Sequence, residues 1–130
     1  MQNVLLAFPD EITSKQIAET LNGFFEEVQN HYSEPDRYVL IKSQSDAIFL
    51  RPCIDLKENY EEWFEENQKE LVMNLQSFIE MQYRKFDTAK TVLRILSLKF
   101  NYMIIQFDDF HLTSSEFLLK IQNEPTWDWR

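Results

Sequence analysis

Glu58, Glu61, Glu62, Glu65 and Glu66 crowd into one short stretch of this chain. Carboxylates at that density are the raw material of acid–base catalysis or of cation binding. Acid–base catalysis of the glycosidase kind needs two carboxyl groups facing each other across a cleft. A row along one exposed element supplies a negative field instead. At spacings of three and four, the five glutamates share one side of a helix, with Glu70 at its edge. Four i,i+4 pairs are then like-charged: Glu58–Glu62, Glu61–Glu65, Glu62–Glu66 and Glu66–Glu70. Each costs about 0.2–0.5 kcal/mol, and Glu65–Lys69 offsets part of that. A face needed for solubility alone can alternate its signs. This one is expected to meet a cationic partner, the competing reading being a solvated helix face.

Two smaller groups join it as candidate contact residues. Asp108 and Asp109, in Asp108-Asp109-Phe110-His111, face opposite ways at a strand end, which reads as a solvated turn rather than a ligand set. Trp127 and Trp129, in the tail after Pro125, either fold back over the core or serve as anchors for a partner, where tryptophan is enriched. Other chemistry is thinly supplied. His31, His111 and Cys53 are too scattered for a zinc pattern. Cys53 lies between Pro52 and Ile54 without a nearby histidine in sequence and reads as a small buried apolar residue, not a nucleophile. Gly23 is the single glycine, so phosphate loops, dinucleotide fingerprints and nucleophile elbows cannot be built. The expectation is a binding protein with no catalytic residues, no metal and no cofactor.

Composition bounds the rest. A chain of 130 residues, 44% hydrophobic and 15% aromatic, suffices for one domain, residues 1–130, with one core. One cysteine excludes an internal disulfide and suits a reducing compartment. Met1-Gln2-Asn3 carries no basic leader region, and no apolar run approaches the ~20 residues of a membrane span, so a cytoplasmic protein is expected. The net charge of −9 is unevenly spread. Residues 1–70 hold 15 acids and 6 bases, whereas residues 71–130 hold 7 of each. Such a field disfavours direct contact with nucleic acid or acidic membrane and speeds encounter with basic proteins.

The elements that must position these residues follow from caps and periodicity. Asn3–Phe8 reads as a strand. Thr13 with Gln16 is a capping box, stapled by Ile12 and Ile17, and starts a helix running to about Tyr32 with Gly23 inside it. Tyr38–Ser43 and Ala47–Arg51 form a hairpin around Gln44-Ser45-Asp46. Asp55 with Glu58 opens one long amphipathic helix, about Asp55–Phe86, striped by Tyr60, Phe64, Leu71, Leu75, Phe78 and Ile79 and closed by Arg84 and Lys85. Thr91–Phe100 and Tyr102–Phe107 read as a second strand pair, with a helical Thr88–Ser97 as the alternative. Thr113 with Glu116 caps a last helix, stapled by Leu112 and Phe117.

The expected class is therefore α+β: an antiparallel sheet with helices packed on one face, in the order βαββαββα. In profile, being small, acidic, glycine-poor and without a catalytic motif, the chain resembles bacterial immunity proteins and the acidic anti-defence proteins of phages. No residue motif narrows that to a family. The resemblance implies an inhibitor that neutralises a basic partner such as a nuclease toxin. The alternatives are an acidic DNA mimic, which would block many DNA-binding proteins, and a secretion chaperone or adaptor, which would show a larger apolar groove and stable dimerisation.

Overall fold

A computed structural model describes residues 2–31, 34–53 and 74–130. Within them the protein is α+β, with seven strands in one antiparallel sheet and three helices. In chain order these are β1 (Gln2–Phe8), α1 (Ser14–Leu21), β2 (Glu27–His31), β3 (Glu34–Ser43), β4 (Asp46–Pro52), β5 (Ser77–Tyr83), α2 (Phe86–Lys99), β6 (Ile104–Gln106), β7 (His111–Thr113) and α3 (Ser114–Asn123). The sheet order is β2-β3-β4-β5-β1-β6-β7, which places the first strand well inside the sheet.

Local signals were decisive where their partners lie within a few residues. The Thr13 hydroxyl accepts from the Gln16 N–H at 3.1 Å while the Gln16 side chain accepts from the Thr13 N–H at 2.8 Å. Thr113 and Glu116 repeat the exchange at 3.2 and 3.0 Å. The hairpin forms as expected, closing on Ser43 opposite Asp46. The Asp55–Glu58 cap and the glutamate face of Glu58, Glu61, Glu62, Glu65 and Glu66 lie outside the described residues.

Three expectations are corrected. A helix reaching Phe86 is excluded, because Ser77–Tyr83 is strand β5, bonded to β4 on one side and β1 on the other. Ile79, Met81 and Tyr83 are buried and alternate with Glu80 and Gln82, a period of two that the helical stripe through Leu75, Phe78 and Ile79 obscured. The first helix ends at Leu21, not near Tyr32; Asn22-Gly23 is a stop signal, and Glu27–His31 returns as strand β2. Thr91–Phe100 is not a strand: Thr88, Ala89, Val92, Leu93, Leu96 and Ser97 are buried at helical spacing in α2. The element order βαββαββα is replaced accordingly, with four consecutive described strands between α1 and α2.

Arg84 and Lys85 thus precede a helix instead of closing one. Lys85 is the N-cap of α2 and makes no side-chain cap bond, and cations are unfavourable at that end. Negative charge is brought in from two sources. Asp87 lies in the first turn, and the buried Asp46 carboxylate, from the start of β4, accepts from the Thr88 hydroxyl. Tertiary structure thus provides an anion at the helix start from outside the helix.

The main core joins Val4, Leu6 and Phe8 of β1 and Ile79 and Met81 of β5 to Ile17 and Leu21 of α1, Val92, Leu93 and Leu96 of α2 and Phe117 of α3. Successive strand residues point to opposite sides, and the neighbours Ala7, Phe78 and Ile104 form a second, smaller cluster with Leu75, bordered by Leu5 and Cys53. Ser77 ties the loop after β1 to β5, accepting from the Ile12 N–H at 2.9 Å and donating to the Asp10 carbonyl at 2.8 Å.

Candidate interaction site

Register builds the site. Leu5 of β1 stands opposite Glu80 of β5 on one side and Gln106 of β6 on the other, so these three form a row across the sheet. Asn3 lies one step along, opposite Gln82. Asn3, Leu5, Glu80 and Gln106 line a cavity of about 250 Å³ together with Cys53, Phe107 and Asp108. A second hollow, of about 290 Å³, shares Asn3, Val4, Phe107 and Asp108 with the first and adds Gln2, Tyr83, Trp129 and Arg130. Asp108 lines both.

The turn that carries Asp108 is held from inside. The Phe107 N–H donates to the Phe110 carbonyl at 2.8 Å, and the Gln106 amide donates to the carbonyls of Phe107 and Phe110 at 2.8 and 3.1 Å. Asp108 and Asp109 are therefore presented on a braced turn, both exposed. Phe110 stacks on Phe107 with centroids 4.8 Å apart and stays 37% exposed, an apolar ring beside two carboxylates.

The tail forms the other wall. Trp127 and Trp129 are half-buried against the core, packing on Phe107 and Phe117. Lys90 of α2 holds the backbone there, donating to the carbonyls of Pro125 at 2.7 Å and Trp127 at 2.9 Å. The Trp129 indole donates to the Tyr83 hydroxyl at 3.0 Å, which donates to Gln2 at 2.8 Å. Burial pushes the Tyr83 phenol up from its ordinary value. Arg130 lies 4.4 Å over the Phe86 ring and bonds Asp128, which holds that carboxyl down at about 2. The tail is thus a packed strap in which both tryptophans stay partly exposed.

Glu80 is tied to Arg51 of β4. Arg51 Nη2 donates to Oε2 at 3.2 Å, and Arg51 Nε lies 2.9 Å from Oε1, an ion pair without hydrogen-bond alignment. The bond to Glu80 raises the Arg51 guanidinium further above its ordinary value. Cys53 beside it is half-buried, and burial, with the Glu80 charge adding, pushes its thiol up. The thiolate is the reactive form, so labelling of the native protein by iodoacetamide at pH 7.5 is expected to be well below the rate of a free thiol and to climb only at more alkaline pH. Labelling at the free-thiol rate at pH 7.5 would show that the wall around Cys53 does not protect it.

Of the residues singled out in sequence, the structure brings Asp108 and Trp129 together in the second hollow, with Asp109 on the same turn and Trp127 packed on Phe107 and Trp129. Glu80, Tyr83, Gln106 and Phe107 were not foreseen. The alternation in Ser77-Phe78-Ile79-Glu80-Met81-Gln82-Tyr83 is the signal that could have found the first two. Among the described residues no three His, Cys, Asp or Glu side chains gather as a metal site, and no helix is long and apolar enough to cross a membrane.

The described residues define an α+β protein with two hollows beside Asp108, one lined by Glu80 and Cys53 and the other by Tyr83, Trp129 and Arg130. No family model, no curated protein and no solved structure matches this chain.

Proposed function

We propose that this protein is a small acidic inhibitor of the immunity type, which binds and neutralises a basic protein partner such as a nuclease. The observation that supports this most is the braced β6–β7 turn, which sets the exposed carboxylates of Asp108 and Asp109 beside exposed Phe110 and next to the Trp129-lined hollow. Interfaces that hold tightly combine aromatic anchors with charged groups at the rim. The charge of the chain acts in the same direction. Asp10, Glu11, Glu26 and Asp36 are exposed and make no ion pair among the described residues, while Lys42 is spent on the Phe24 carbonyl, at 2.8 Å, and on its ring. We read the three helices as covering one face of the sheet and the protein as cytoplasmic. The glutamate face of Glu58–Glu66 is the second surface of the same reading.

The test is titration of the purified protein against a panel of basic ribonucleases and deoxyribonucleases. Stoichiometric inhibition of one enzyme is expected. Neutralising Asp108 and Asp109 to Asn, or Glu61, Glu62, Glu65 and Glu66 to Gln, should slow association roughly tenfold at low salt and flatten its salt dependence. Inhibition of every DNA enzyme, relieved by added DNA, would favour the mimic. Wild-type association rates for both variants at low and moderate salt would remove the acidic surfaces from the account.

A further inference from the structure

The β3–β4 ladder pairs Tyr38 with Leu50, and the next residues on the two strands are Arg37 and Arg51. Both line a cavity of about 290 Å³, whose further walls include Val39, Phe49, Glu80 and Gln82. Like charges on neighbouring strands oppose each other. Each arginine is steadied by its own carboxylate: Arg37 Nη1 lies 2.7 Å from Glu34 Oε2, and Arg51 holds Glu80. A guanidinium has five N–H donors in a planar fork, and these pairings use only part of each.

Arg84 lies 5.4 Å over the Phe49 ring and makes no ion pair among the described residues. Of the described residues that line the cavity, Arg37 and Arg51 are cationic and Glu80 is anionic, with Arg84 and Glu34 outside the lining. Below the guanidinium groups, Val39 and Phe49 are cross-strand neighbours, and Gln82 stands opposite Phe49 on the other side. The cavity thus has a cationic end, an apolar floor and one amide, at the small end of ligand-binding volumes.

We propose that this cavity binds a small organic carboxylate, its charged group between Arg37 and Arg51 and its apolar body on Val39 and Phe49. A planar carboxylate matches the guanidinium fork. A doubly charged ligand would meet Glu80 with its second charge, so the site selects monoanions.

The test is a titration of isotopically labelled protein, followed by amide and arginine side-chain resonances, with benzoate as the probe. Saturable shifts are expected at Val39, Phe49, Gln82 and the Arg51 Nε–H. Acetate, which has the charge without the ring, should bind several-fold more weakly. Benzyl alcohol, which has the ring without the charge, should give no saturable shift. Arg37→Gln should weaken benzoate about tenfold, the loss of one charge-assisted contact, with resonances away from the cavity unmoved. Equal affinity for benzoate and benzyl alcohol, wild-type affinity in Arg37→Gln, or benzoate shifts centred on other residues would each overturn the site. Acetate binding as tightly as benzoate would overturn the role given to Phe49. The experiment is independent of the nuclease panel, since it reads a different group of residues and a different ligand.

Discussion

Phe117→Ala is expected to cost about 3–5 kcal/mol of stability and to lower the melting temperature by roughly 10–20 °C. The ring is fully buried on α3, with Trp127 and Trp129 each at 6.2 Å and Phe107 at 6.5 Å between centroids. Rigid rings around a vacated site collapse poorly, so the cavity remains and its lining loses contacts. The effect should spread to the tail. Both indoles rest on this ring, and their emission should move to the red, with greater quenching by iodide, before global unfolding begins. Phe117→Leu keeps much of the volume and should cost less than half as much, which keeps the comparison open if the alanine variant does not fold. A melting temperature within a few degrees of wild type in Phe117→Ala would show that the strap, rather than α3, carries the packing at this end.

Thr88→Val should cost about 1–3 kcal/mol although it changes neither size nor shape. Asp46 is only 7% exposed, and the Thr88 hydroxyl is the donor to its Oδ2; its Oδ1 has no hydrogen-bond partner among the described residues. Removing the hydroxyl leaves a buried carboxylate without that donor, and the expense lies in the orphaned group more than in the lost bond. Asp46→Ala should also destabilise, through the lost anion at the start of α2. The double variant should then be less damaged than the two single effects added together, with a coupling of about 0.5–3 kcal/mol, measured by urea unfolding. Strict additivity would mean that Thr88 and Asp46 act separately and that the hairpin is not pinned to α2 through them.

Both predictions concern contacts that no local pattern announces. Asp46 was legible as a turn residue and Thr88 as part of an ambiguous apolar run; their meeting depends on β4 and α2 packing together. Glu80 is the clearer case. A window from Asp55 onwards invites a helix because Leu71, Leu75, Phe78 and Ile79 recur at three and four. The same Phe78 and Ile79 fit a period of two with Met81 and Tyr83, and a short window cannot separate the periods. The decision falls to the slot between β4 and β1, which a strand fills by bonding on both sides.

The sequence by itself determined the mixed α+β class, the two capping boxes at Thr13 and Thr113, the β3–β4 hairpin and the uneven charge. Each of those depends on groups a few residues apart or on composition alone, so the chain carries the information locally. Tertiary structure alone decided that β5 is a strand, that α2 is a helix, that Lys90 straps the tail onto Phe107 and Phe117, and that Asp108 shares a cavity with Glu80. These depend on which distant segments exclude water together, and on backbone donors and acceptors that must find partners across the sheet. Residue spacing along the chain does not encode that choice; the assembled core does.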